Sequence, residues 1–324
     1  MSSLHRHLSL IRASMVCILI ALPQVVAAQS VAEVKEETST SAWQGSAIAY
    51  RQSMGVQGLW KSATPTWNPS FVHSLTLEPQ WNITENTSVS SELSMASELT
   101  QSDWTTDRIY LSDMTLRGTF SSALTSSLLQ TTTHINLGVR LPTSKPSRAS
   151  SLIMAPSLGV ITERSFAVAK GLKLSLDLSV SRPMHSYTTG SLQGSPIDGC
   201  SSPGCRELMQ IPTRNTRLIF EESIQAQLQL FEHTVITAYV GAGQGLLHSL
   251  SPSPLVSFEP DHPEEFHFEM ASGVLLSHPL YSGMSITYGL SSRQPTLAAN
   301  GQSRDIPLLN RYTRFSVDLR AELP

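Results

Sequence analysis

Charge is scarce in this chain: Asp, Glu, Lys and Arg make up 15% of 324 residues, with a formal net charge of −3. Soluble globular domains usually carry about 25%. No Lys/Arg run occurs, so bulk charge excludes a nucleic-acid partner. Aromatic residues amount to only 6%, and there are three cysteines. Beyond the N-terminus no stretch approaches the ~18 uninterrupted apolar residues that a spanning helix needs, which excludes a polytopic helical membrane protein. Disorder is excluded too, because 40% of the residues are hydrophobic and such a chain is too apolar and too weakly charged to stay unfolded. What is abundant is serine, with leucine next.

Residues 1–28 read as a secretory signal peptide. Arg6 and Arg12 give a positive leading region, residues 15–26 an apolar core, and Val26-Ala27-Ala28 small residues for cleavage after Ala28. Cys17 sits at the start of the apolar core without a small residue just before it, unlike a lipid-modified cysteine. Cleavage removes Cys17 and leaves Cys200 and Cys205. An even pair in an exported chain points to a disulfide closing a small loop, and no further His or Cys lies in the segment to favour a metal. Residues 29–46 read as a periplasmic N-terminal lead.

The mature chain alternates with period two. Leu172, Leu174, Leu176, Leu178 and Val180 interleave with Lys173, Ser175, Asp177, Ser179 and Ser181. Thr133 to Leu141, Leu218 to Leu230 and Phe315 to Leu323 repeat the pattern, and eight weaker segments bring the total to about twelve strands. Short and long connections alternate between them: 84–87, 165–171, 231–234 and 277–283 are short, while 61–70, 101–107, 142–150, 185–213, 246–263 and 292–310 are long. Membrane barrels show this alternation, and an even strand number puts both termini on one side. The expected fold is therefore all-β, an antiparallel transmembrane β-barrel of about twelve strands over residues 47–324. A soluble β-sandwich would also alternate, but its outer faces would carry more Lys and Glu than the Ser, Thr, Gln and Asn found here. Phe71, Trp81, Tyr110, Phe120, Phe266, Tyr288 and Phe315 are the expected interface aromatics. Glu222 is the anomaly, because its parity places a carboxylate among the lipid-facing residues. Either the strand rises above the membrane there or a bulge shifts its register.

With its signal peptide, its amphipathic strands and the closing segment from Asn310 to Leu323, the chain resembles Gram-negative outer-membrane β-barrel proteins of porin or transporter type. The fragments Leu141-Pro-Thr-Ser-Lys-Pro146 and His185-Ser-Tyr-Thr-Thr189 look like parts of such barrels. The resemblance implies residence in the outer membrane, contact with its lipid and delivery by the barrel-insertion machinery. The chain ends Leu323-Pro324, where such barrels usually end in an aromatic residue.

Charges with lumen parity carry both signs: Glu92, Glu98, Lys173, Asp177, Arg217, Glu221, Arg293, Arg314, Asp318 and Arg320. Opposed charges across a lumen can select solutes, or can pair and plug it. Glu259, Asp261, His262, Glu265 and His267, with Glu264 and Glu269 beside them, could hold a structural divalent cation. The same segment reads more simply as a solvated loop running into a polar strand face, and no other cofactor is expected. No enzyme is expected: there is no Gly-x-Ser-x-Gly elbow, and His134 has lumen rather than lipid parity. A channel or transporter for small solutes is the leading expectation. The alternatives are a non-conducting structural or surface-binding barrel and, third, an outer-membrane hydrolase.

Overall fold

Side chains alternate between the two faces of a strand, so a sheet of such strands has one apolar and one polar face. Closing the sheet on itself puts the polar face inside and leaves no unpaired edge. The computed structural model describes residues 41–56, 71–99, 109–167, 171–191, 212–231, 233–249, 266–295 and 312–323. Twelve long antiparallel strands form the barrel. They are β1 (Ala47–Gly55), β2 (Phe71–Glu78), β3 (Thr87–Glu98), β4 (Met114–Ser126), β5 (Thr131–Leu141) and β6 (Leu152–Phe166). The second half comprises β7 (Leu172–Ser181), β8 (Thr216–Gln229), β9 (Val235–Leu247), β10 (Phe266–Tyr281), β11 (Met284–Pro295) and β12 (Thr313–Glu322). Each strand pairs with its sequence neighbours, and β12 pairs with β1 from Ala47↔Glu322 to Gly55↔Arg314 to close the ring. Short pieces extend this frame: Gln80–Thr84 continues β2 past Pro79, Ile109–Leu111 precedes β4, and Met184–His185 follows β7. No described helix is long and apolar enough to cross a membrane.

Register fixes which side chains share a face. Leu137, Leu158 and Leu178 lie in paired positions or adjacent rows with Phe120, Ile135, Val160 and Ile224 on the outer face. Many of these large side chains remain exposed, Leu178 at 45% and Leu137 at 50%. An apolar band that continues around the sheet is far more than an ordinary soluble surface exposes, and it calls for hydrocarbon outside.

Two outer-face expectations meet the structure differently. Tyr110 pairs with Ala96, which pairs on its other side with inward Ser74, so Tyr110 faces inward, while Ile109 and Leu111 take the outer face. An extra residue causes this inversion. Between the pairs Leu111↔Met95 and Thr115↔Glu92, β4 carries Ser112, Asp113 and Met114 against Leu93 and Ser94. Ser112 fills the break, accepting at Oγ from Ser94 N (2.8 Å) and donating from its own N to Ser94 O (2.8 Å). Glu222 does stand outward. Its strand pairs without interruption from Leu218 to Gln229, with Leu178 on one side of Glu222 and Ala242 on the other, so no bulge rotates it. The register shift in β8 falls earlier, between Thr216 and Leu218.

The two ends of the barrel are built differently. At the short-turn end, residues 41–46 dock on the β2 extension. Asn82 N donates to Ala42 O (2.7 Å), Asn82 Nδ2 to Gln44 O (2.8 Å), and Trp43 packs edge-on against Trp81 with centroids 4.7 Å apart. Leu323 N then donates to Ser46 O (2.7 Å), lengthening the closing seam. At the other end the motif Leu141-Pro-Thr-Ser-Lys-Pro146 opens the helix α1 (Lys145–Ala149), capped by Ser144 Oγ, which accepts from Ser147 N at 3.2 Å. Thr143 Oγ1 donates to Ser112 O (2.6 Å), and Asp113 accepts from Ser144 N (3.0 Å) and from the Ser147 hydroxyl. The polar residues of that motif thus clamp the β5–β6 connection onto the entry to β4.

Candidate functional site

The inner face is a wall of charges interrupted by small residues. Glu92, Glu98, Lys173, Asp177, Glu221, Arg293, Arg314, Asp318 and Arg320 occupy inward register positions, and Arg217 sits at the β8 register shift near the long-connection end. Most of the contacts join neighbouring strands. Arg51 pairs with Asp318 across the closing seam, and Lys173 Nζ lies 2.7 Å from Glu163. Arg320 reaches Glu78 at 2.6 Å and Glu322 at 2.8 Å. Arg293 bonds Glu269 at 2.6 Å and lies 3.6 Å from Glu221.

Several participants escape the expected set: Arg51, Glu78, Arg117, Arg140 and Glu163. A strict parity reading would have found Arg117, which stands between outward Leu116 and Gly118. Gly118 hides the alternation because it contributes no apolar side chain. His134 points inward, accepting at Nδ1 from Ser122 N (3.2 Å) and lying 3.4 Å from Glu163 through Nε2. His267 lies on β10 with its ring over Gly245, where a Cβ would come within 2.1 Å of it. Glu259, Asp261, His262 and Glu265 lie outside the described residues, as do Cys200 and Cys205. Among the described residues no group of three or more ligating side chains is placed to hold a metal.

Two cavities open along the wall between β4 and β11. The first, of about 310 Å³, runs from Arg117 and Arg140 over Gly138, Ser157 and Gly159 to Asp177 and Glu221. The second, of about 240 Å³, runs from Asp177 and Glu221 over Gly241 and Gly243 to Glu269 and Arg293. The shared residues Asp177, Ser179 and Glu221 form an acidic ridge with arginines on either side.

At the long-connection end Asn215, itself buried, joins three connections. Its Nδ2 donates to Ser150 O (2.8 Å) and Tyr187 O (2.7 Å), its N donates to Thr188 O (2.8 Å), and its O accepts from His248 N (2.9 Å). His248 stands edge-on to His185 at 6.3 Å, and Arg214 Nε donates to His248 O (2.7 Å). Partial burial lowers the His248 pKa from its ordinary value, with the positive surroundings of His185, Arg217 and Arg214 acting in the same direction.

This geometry, a closed twelve-strand barrel with apolar exterior and charged interior, is that of an outer-membrane β-barrel fold. The COG4313 outer membrane channel from Pseudomonas putida F1 is similar in fold, at 11% identity and a TM-score of 0.54, with 90% of this chain and 100% of that one covered. The KdgM porin matches more loosely (9% identity, TM-score 0.43, covering 86% of this chain and 99% of that one). So does the NanC porin (7% identity, TM-score 0.44, with the same coverages). No family model and no curated protein matches the sequence.

Proposed function

We propose that the protein is an integral outer-membrane channel for small hydrophilic solutes. The observation that carries this reading is the lumen wall, where ionised side chains hold one another over small-residue gaps and leave cavities of about 310 and 240 Å³. A barrel meant only as a closed anchor has no need of such gaps, since bulky side chains would fill them. The fold shared with an outer membrane channel supports the same reading. In this account the chain is exported with cleavage after Ala28 and inserted by the barrel machinery, with Cys200 and Cys205 joined in the β7–β8 connection.

Reconstitution into planar bilayers tests it. Discrete conductance steps are expected from protein whose heat-modifiable migration certifies a folded barrel. Silence from that same folded protein overturns the channel and leaves a structural or surface-binding barrel. Running the migration with and without reductant reports the disulfide in the same experiment.

A further inference from the structure

Within the first cavity, charge of opposite sign stands on opposite walls, with small residues making up much of the surface between. Arg117 on β4 and Asp177 on β7 are three strands apart, at about 4.8 Å per strand along the wall. The rows linking the two sides carry Gly138, Ser157, Gly159 and Ser179, together with Asn136 and Ile161. Arg117 and Asp177 are within electrostatic reach of each other. Yet neither makes a hydrogen bond or an ion pair among the described residues. Arg140 stands beside Arg117 on the same wall. Its ion pair to Asp113 is long, at 3.8 Å, and its buried Nε meets no hydrogen-bond acceptor. Glu221 backs Asp177, although Arg293 draws on Glu221 from the far side. Elsewhere on the wall Arg51, Arg293 and Arg320 are clamped by carboxylates. Here Arg117 and Asp177 face space, and Arg140 is held only by its long contact to Asp113.

Resting on the channel reading above, the geometry points to a binding site for small zwitterions, molecules that carry a carboxylate and an ammonium group a few bonds apart. The carboxylate docks on the guanidinium groups of Arg117 and Arg140, where planar forked donors suit it. The ammonium docks on Asp177 with Glu221 behind it. A simple anion gains from one wall and is repelled by the other, and a simple cation meets the converse. A neutral polyol gains from neither. Only a dipolar solute satisfies both walls at once, and the glycine and serine floor leaves room for a side chain no larger than a few atoms.

Swelling of vesicles containing the refolded full chain, in glycine and in glycerol, reads this directly. Glycine should enter faster than glycerol by about threefold or more, the discrimination that partly screened ion pairs supply. Arg117→Asp and Asp177→Arg should each abolish the preference. The double exchange should not restore it, because Arg140 stays beside position 117 and Glu221 behind position 177, and each neutralises the exchanged charge next to it. Arg117→Gln and Asp177→Asn, which keep the size of each group, serve where a charge-reversed barrel fails the heat-modifiable migration test. If glycerol enters through folded protein but glycine has no advantage, the zwitterion site is overturned and the channel stands. Single variants that keep the preference overturn it equally. Folded protein that passes neither solute overturns the channel reading and this one with it.

Discussion

The guanidinium of Arg293 on β11 lies 3.6 Å from the carboxylate of Glu221 on β8, three strands away. Gly243 makes this reach open. It sits between Glu221 and Glu269 in the paired row, and a Cβ built on it would touch only those two side chains, at 3.9 and 4.0 Å. Arg293 therefore neutralises two carboxylates that would otherwise face the lumen alone. In the proposed channel, replacing it by glutamine should raise cation selectivity, read as a shifted reversal potential in a potassium chloride gradient. Stability should move by no more than about 1 kcal/mol, because exposed ion pairs contribute little and the Arg293 side chain is 67% exposed.

Glu222 offers a test of where the membrane lies. It shares the outer face with Phe220 and Ile224 and stands between Leu178 and Ala242. Eight residues separate it from Leu230 at the short turn, which is roughly 20 Å of height at the usual strand rise and barrel tilt. That places it toward the upper edge of a hydrocarbon band about 25 Å tall. Glu222→Leu should stabilise the barrel by about 1 kcal/mol, less than a midplane charge would cost. The unfolding temperature in heat-modifiable migration should rise accordingly. A lower temperature would mean that the carboxylate stands in water or headgroups.

These residues also define how far alternation could carry a reading. The strands β7 and β12 were legible because apolar and polar residues strictly alternate there, and β8 follows the same pattern except at Glu222 and at its register shift between Thr216 and Leu218. The same rule misplaced Tyr110, because one extra residue near Ser112 reverses every face beyond it. Alternation is weaker in β9. The inward positions there include Gly241, Gly243 and Gly245, which look neither polar nor apolar and yet form the floor of the lumen. The charged residues could be assigned to the lumen from parity alone. Which of them meet could not, because Arg293 and Glu221 are brought together by ring geometry and by the absence of a side chain between them.

Asn215 is expected to govern the order of the long-connection end. Its amide nitrogen donates to two backbone carbonyls, those of Ser150 and Tyr187, from a buried position. Asn215→Ala leaves those carbonyls short of a donor, at a cost on the order of 1–3 kcal/mol. Asn215→Asp should be worse, since a carboxylate oxygen would then oppose carbonyl oxygens. In vesicles, protease added from the long-connection side should cut within residues 142–151 faster in both variants, fastest in the aspartate. Conductance should persist, because Asn215 lies outside the two lumen cavities.

Acid should loosen the same region through His248. Partial burial lowers its pKa, and the charges of His185, Arg217 and Arg214 add to the effect. With the folded value below the unfolded one, near 6.5 for an ordinary histidine, the unfolded loop binds the proton more readily. Stability of the loop assembly is then full above about pH 6.5 and falls as pH drops from there toward the lowered folded value. Cleavage within residues 142–151 should accelerate as pH falls below about 6.5 in the native protein. His248→Gln removes the titrating group while keeping the backbone N that donates to Asn215 O, so the acceleration should be blunted. Arg214→Gln takes away one neighbouring positive charge, brings the folded pKa closer to the unfolded one and should reduce the acid response, where His248→Gln removes it. An acid response unchanged in both variants would assign it to another group.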